Sequence, residues 1–506
     1  MKTIPIHDHN LVGMLRSFSK DEQKKFSKFL ESPYFTFRKS LKRLYSELVR
    51  FHPLYTHITL SKEYLYNKIY PGKTYRDSSI RDLLSDLLTS AKQFLVYESL
   101  KLNKNFPIYL LQELRKKNLV QQLAKQIGFT YEEIENIDTI DSEFFLLKYR
   151  LEAEQHNFSQ MNNKLTSQKN AVKFVEEIKT SNIYLMFFFI LEIVSNYTNL
   201  IINTERFGAA FIDDNIQSII KQFSIDKLYE QFKGKNKYDF VIEIYKQLLG
   251  AYAKLGNWKT YNNYKKVVKK YSHRLSHDEA SFHYSRLISC AVLGAKYGRL
   301  KNNFDLELLQ LYGEFLERDL YKDEKTNYVP ASLYRLIIFH AVKVNRVDWL
   351  YNIISEAGPK LHPNYRENLQ NYALANYYSA AGNYNTAFEY INKLEIDYFM
   401  FKYDLYYLKL KAYYDTGELD PALELLHTFR QFIRNDTIIT PSRKVFHNNF
   451  ASFYEKLIKI TLKTSRYDID RVFLKLEKTN NIFHKHWLQE KLSYLAKPAA
   501  GYLKSS

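Results

Sequence analysis

The chain has a single cysteine, Cys290, among 506 residues. That excludes an internal disulfide framework and fits a reducing, cytoplasmic compartment. Glycine is scarce, with 14 residues or about 2.8% against a usual ~7%. Proline numbers only 11. So few turn-makers in so long a chain exclude a sandwich or barrel, which turns every ~10 residues, and point to helices. The opening "MKTIPIHDHN" lacks an apolar core, so no secretory signal is read there. Long hydrophobic runs are missing too. The longest, Ile183–Leu191, has nine residues and ends at Glu192, whereas a membrane span needs ~20. The expectation is no membrane span, and a helix over 183–194 buried on all sides.

Patterns for chemistry are also sparse. "PGKT" at Pro71–Thr74 matches the end of a phosphate-binding loop, but Asn67 stands where that loop needs glycine, inside a predicted helix. His273 and His277 have the spacing of a metal-binding pair, with His283 nearby. "SHRLSHDEASFHY" reads instead as a helix end and a new start, capped at Ser276 or His277, with surface or capping histidines. His7, His9, His484 and His486 are read as flanking mobile ends. Cys290, among apolar neighbours, is read as a buried thiol. The expectation is a non-catalytic protein without cofactor or metal.

Material for a core is plentiful: 45% of residues are apolar and 16% aromatic, including 43 Tyr and 35 Phe. The length suggests ~3 domains or one long solenoid. The formal charge is +19, and 19 of the 74 Lys and Arg but only 10 of the 55 Asp and Glu lie in residues 1–105, giving that segment +9. A basic surface attracts nucleic acid, anionic lipid or an acidic partner. A chain rich in Lys, Asn, Ile, Tyr and Phe also carries solvated lysines with no partner at all.

Two stretches near the C-terminal end repeat one design. In the first, Leu374, Ala375, Tyr378 and Ala381 share a helix face and Gly382 suits the left-handed turn that ends it. Asn385 is the expected cap of the next helix, which carries Ala387, Phe388, Ile391 and Leu394. In the second, Leu405, Leu408, Ala412 and Tyr413 precede Gly417. Asp420 is the expected cap there, Pro421 sits in the first turn, and Ala422, Leu425 and Leu426 begin the second stripe. Short side chains at Ala375, Ala387 and Ala422 let helices cross closely. Over about 365–435 the chain resembles the tetratricopeptide repeat, through Leu374, Ala375, Tyr378, Gly382, Tyr384 and Ala387 and through Leu410, Tyr413, Gly417, Leu419 and Ala422. The period is 35, no Trp opens either unit, and the closing Pro is absent. Weaker copies centre on Gly256, Gly298 and Asn345, at spacings of 42, 47, 37 and 35 up to Gly417. A lone helical pair cannot bury its own stripe, so such units stack.

Nearer the start, Ser19 and Glu22 have capping-box spacing, Pro33 stops that helix, and Ser61 and Asp77 are expected caps. Ile80, Leu83, Leu84, Leu87, Leu88, Ala91, Phe94 and Leu95 form the strongest amphipathic stripe. Its outer face carries Asp82, Ser85, Asp86, Thr89, Lys92 and Gln93, a poor match to phosphates and acceptor-rich base edges. Through "LESPYF" and "YPGKTYRDSSIRDLLSDLL" the segment is similar to uncharacterised helical proteins of Bacteroidota, a likeness that implies no function.

The reading is therefore all-α. A basic helical domain spans 1–105, helical connector or degenerate repeats 106–235, an irregular right-handed tetratricopeptide-like α-solenoid 236–495, and a frayed tail 496–506. The tetratricopeptide resemblance implies a scaffold that binds a peptide or partner protein in a groove lined by the first helix of each pair. On this chain those positions are Tyr372, Asn376 and Ser379, then Tyr407, Lys411 and Tyr414. The alternative is a nucleic-acid-associated regulator that uses the basic N-terminal domain, with the solenoid as sensor.

Overall fold

The computed structural model describes every residue except 1–5, 7–8, 36–37, 58, 102, 162–167, 208–217, 221–223, 324–325, 395–398, 463–468 and 497–506. His7 and the tail beyond 496 thus lie outside the described residues. Among those described, the chain is all-helical and forms no β-strand; an isolated parallel bridge joins Val329 and Leu361. It divides into two compact units, one of residues 1–136 and 147–181 and the other of 137–146 and 182–506.

The first unit opens with α1 (Asn10–Arg16), α2 (Lys20–Glu31), α3 (Lys39–Leu48), α4 (Lys62–Ile69) and α5 (Asp77–Lys101), and continues with α6 (Phe106–Lys116) and α7 (Val120–Glu135). Ser19 and Glu22 close a reciprocal capping box on α2, and Ser61 accepts from the Tyr64 amide at the head of α4. Helix α5 touches each of α1 to α4. Its stripe is why: Ile80, Leu83, Leu84, Leu87, Ala91 and Phe94 are all buried. Phe94 joins an aromatic centre in which the Phe26 ring lies 4.8 Å from Tyr45, 5.2 Å from Phe94 and 5.5 Å from Phe18.

Helices α8 (Ser142–Met161) and α9 (Gln168–Phe207) follow. The expectation of a helix buried on all sides over 183–194 needs correction. Tyr184, Phe187, Ile190, Leu191 and Val194 are buried, but Leu185 is exposed. These residues are the middle of a longer amphipathic helix with one face on the core. By length and composition alone, Ala171–Glu205 is apolar enough to cross a membrane, though only a third of its most apolar stretch is buried. The buried side packs aromatically, with Phe145 5.1 Å from Phe187, and Ser142 Oγ donates to Glu192 at 2.6 Å.

After α10 (Ile225–Phe232) the second unit runs as helix pairs: α11 (Asp239–Ala253) with α12 (Trp258–Lys270), α13 (His277–Tyr297) with α14 (Lys301–Glu317), α15 (Ala331–Lys343) with α16 (Val347–Ala357), α17 (Pro363–Ala380) with α18 (Tyr384–Asn392), α19 (Phe399–Thr416) with α20 (Leu419–Asn435), and α21 (Pro441–Thr461) with α22 (Ile469–Lys478). Helix α23 (Lys485–Ala496) closes the series. Each helix packs mainly on its chain neighbours, and first helices also meet in the steps α11/α13, α15/α17, α17/α19 and α21/α23. Neighbour-on-neighbour packing is how helical pairs bury stripes they cannot bury alone.

Gly256, Gly382 and Gly417 adopt the left-handed backbone expected of them, and so does Asn345. Gly298 does not; its φ is −72°. It is small for a different reason. A side chain at Gly256 would stand 2.7 Å from the Gly298 backbone, so two connections meet back to back. Two caps also differ from expectation. Asn383, not Asn385, caps α18 by accepting from the Thr386 amide. Helix α20 begins at Leu419, which places Asp420 inside the first turn rather than at the cap. In both cases the chain becomes helical immediately after the left-handed glycine, two residues sooner than the cap preferences suggest.

Candidate partner-binding face

The six expected groove positions lie on α17 and α19, and four of them, Tyr372, Tyr407, Lys411 and Tyr414, bond to other parts of the second unit. Tyr372 is buried and donates from Oη to Asp404 Oδ2 at 3.0 Å. Asn376 is half-buried and bonds one turn back, to the Tyr372 carbonyl at 2.8 Å. Ser379 is half-buried. Tyr407 is buried with Oη 2.6 Å from His447 Nδ1 on α21. Lys411 Nζ lies 2.8 Å from His484 Nδ1, and Tyr414 Oη lies 2.9 Å from Thr461 Oγ1.

These contacts belong to a larger polar seam along α19. Residues 404, 407, 411 and 415 recur at helical spacing, so one face presents Asp404, Tyr407, Lys411 and Asp415 together. At one end Arg335 reaches from α15 to Asp404, with Nη2 2.6 Å from Oδ1 and Nε on Oδ2. At the other, Lys491 Nζ from α23 lies 2.7 Å from Asp415, whose side chain is 10% exposed. The Tyr384 hydroxyl bonds the same carboxylate.

What covers the middle is the chain itself. Helix α23 and the residues before it lie over α19 and α21. The Trp487 ring stacks on Tyr454 at 6.0 Å and meets Tyr414 edge-on at 5.5 Å. Phe483 sits 4.6 Å from His447, and Leu488 and Leu492 are fully buried. Asn449 Nδ2 donates to the Asn481 carbonyl at 2.7 Å.

Burial sets the charge states here. It brings Lys411 down to about 8, against the pull of Asp415 and Asp404. His447 falls to about 4, through burial first and the Arg443 charge second. His484 is pushed well below 6.5 by burial, then by Lys411, Arg335 and His447. An ammonium only donates, so the Lys411 contact requires His484 Nδ1 to accept, and the imidazole there is neutral.

Sequence reasoning missed Arg335, Asp404, Asp415, His447, Trp487 and Lys491. The period along α19 was a usable signal for Asp404 and Asp415; nothing local pointed to the others. Two histidine readings need correction. His484 does not flank a mobile end: it faces Lys411, in a left-handed backbone with φ 51°, at the head of α23. His283 is neither surface nor cap but 3% exposed in mid-helix, with Nδ1 2.9 Å from Tyr264 Oη. A second pair of that kind joins Tyr312 Oη to His340 Nδ1 at 3.1 Å. His9 and Ser276 cap α1 and α13, His277 and His273 are exposed, and Cys290 is buried with its thiol pushed up to about 12.

Elsewhere, a 440 Å³ cleft between α14 and α16 is lined by Leu306, Gln310, Glu317, Arg346 and Trp349 among others. The first unit holds a buried polar network in which Arg115 grips Glu154 at 2.8 and 3.2 Å, and Glu177 accepts from Gln155 and Ser159 at 3.1 Å. Among the described residues no group of three or more His, Cys, Asp or Glu is arranged to hold a metal. Comparison of the chain with protein-family models, with curated proteins and with solved structures gives no match.

Proposed function

We propose that the chain is a non-catalytic protein–protein interaction scaffold whose second unit holds a segment of a partner protein on the face of α17, α19 and α21. The observation that carries this reading is the covering of that face. A helix already lies there, held by aromatic sockets and by the Asp415 carboxylate that takes its cation. A surface that receives one helix by these contacts has the chemistry to receive another. Tyrosine suits such a surface, with large contact area, few rotors and an orienting hydroxyl. Under this reading the helix pairs are tetratricopeptide-like units, and the buried thiol fits a reducing compartment.

A photo-cross-linker tests it. Placed at Ser379 or Lys411, it should capture one defined protein; placed at the exposed outer positions Glu389 or Glu424, it should not. Equal capture at all four removes the face as the binding site.

A second reading has one observation in its favour. Lys20, Lys24 and Lys28 are exposed one turn apart along α2, a row suited to phosphate contacts, and the first unit would then associate with nucleic acid. The outer face of α5 opposes it, since Asp82 is exposed and Asp86 is taken by Arg38. Retention on heparin with steep salt dependence supports this reading; flow-through at low salt ends it.

A further inference from the structure

We propose that α23 is a built-in, displaceable occupant of this face, and that the partner offers a helix with an aromatic residue followed four positions later by lysine or arginine. The proposal rests on the partner-binding reading above and names the ligand and the competitor at that site.

The sockets define the ligand. Trp487 and Lys491 are four apart on one helix, so a single face delivers both at once. The indole fills the space between Tyr414 and Tyr454. The ammonium meets Asp415, which also accepts from Tyr384. If α23 leaves, Asp415 loses the ammonium paired with it, and only a replacement that brings a cation restores that pair. An acidic or purely apolar helix therefore does not fit. Leu488 and Leu492 add the apolar positions next to each anchor, both fully buried. The complete pattern is aromatic–apolar–two free positions–basic–apolar. Lys485 and Glu490 face outward or are only half-covered and place no demand on a ligand.

The small size of the helix also favours release. Helix α23 is 12 residues long, and its only fully buried side chains are the two leucines. The residue before it, His484, holds a left-handed backbone, the turn from which the helix departs. Opposite it, Lys411 Nζ donates to the neutral His484 imidazole, a polar tie that release must break. Their other charged neighbours are Arg335 on α15, Asp404 and Asp415 on α19, His447 on α21, and Glu490 and Lys491 on α23.

The experiment uses the full chain and a fluorescent peptide of residues 480–496. Lys491→Glu in the chain loosens the internal helix, and the peptide should then bind at least tenfold more tightly than to the unaltered chain. A peptide that itself carries Lys491→Glu should lose that gain. Unchanged peptide binding by a Lys491→Glu chain with normal melting overturns the proposal. If Lys491→Glu does not fold, hydrogen exchange on the unaltered chain decides. Exchange in α23 ahead of α21 supports release, and equal protection in both overturns it. Capture of a partner at Ser379 or Lys411 with α23 fully protected would sink only this proposal and leave the binding face standing.

Discussion

Arg335 and Asp404 are 69 residues apart in sequence and meet in a two-pronged ion pair that ties α15 to α19. Tyr372 adds a third bond to the same carboxylate from α17. Three successive first helices thus converge on one acidic group. Arg335→Met would strip Asp404 of its two-pronged cation and leave it the Tyr372 hydrogen bond, and should lower the stability of the chain by about 3 kcal/mol. Asp404→Leu added to Arg335→Met should cost less than the two single changes together, because it removes the stranded charge. Urea unfolding of the three variants measures this; strict additivity would mean that the pair is not coupled.

Acid should weaken the second unit before carboxylates begin to protonate. Burial holds His283 at about 3 and His340 and His447 at about 4. An unfolded histidine titrates near 6.5. Below that value the unfolded chain takes up protons that the folded chain refuses. Stability is thus full above about pH 6.5 and falls toward pH 4, by at most about 3 kcal/mol for a group held at about 4. The urea midpoint should drop between pH 7 and pH 5. In a His283→Gln, His340→Gln double variant the drop should be smaller, whatever its stability at pH 7. A midpoint that stays level in the parent chain contradicts the buried neutral pairs.

Gly256 and Gly382 share a left-handed backbone but differ in their surroundings. Nothing lies within 4 Å of a side chain built at Gly382, whereas at Gly256 it strikes the Gly298 backbone. Gly382→Ala should cost about 1 kcal/mol from backbone strain alone. Gly256→Ala should cost clearly more, because α12 and α13 must also move apart. Melting temperatures of the two variants rank them, and equal losses would show that the connections can separate freely.

Cys290 should resist thiol reagents in the folded protein. Its sulfur is buried beside the Ala251 carbonyl, and burial pushes the thiol up to about 12, so almost no thiolate forms at neutral pH. Labelling with a disulfide reagent should follow the unfolding rate and become immediate in urea. Fast labelling of the native chain would mean that α13 opens locally.

The parts of this structure that were legible in the sequence are those set by short range. The capping box at Ser19–Glu22, the cap at Ser276, left-handed turns at Gly256, Asn345, Gly382 and Gly417, and the stripe of α5 each depend on residues within one or two turns. Where neighbouring signals competed, they misled. Asn385 and Asp420 are good caps, yet the helices start two residues earlier, directly after the glycine. The face of α17 and α19 could be placed, but not what covers it. Lys411 finds His484 across 73 residues, and no local preference encodes that meeting. A neutral, buried histidine looks in sequence like any other, so His283, His447 and His484 gave no sign of their partners.

That separation of 73 residues has a consequence for biosynthesis. Chains are made from the N-terminus, so α19 is complete and able to pack on α17 well before the ribosome reaches Trp487. During that interval the sockets at Tyr414 and Asp415 stand open to water and to any passing polypeptide. The charged and hydroxylated side chains of α19 keep this nascent surface wettable until its own covering helix is translated.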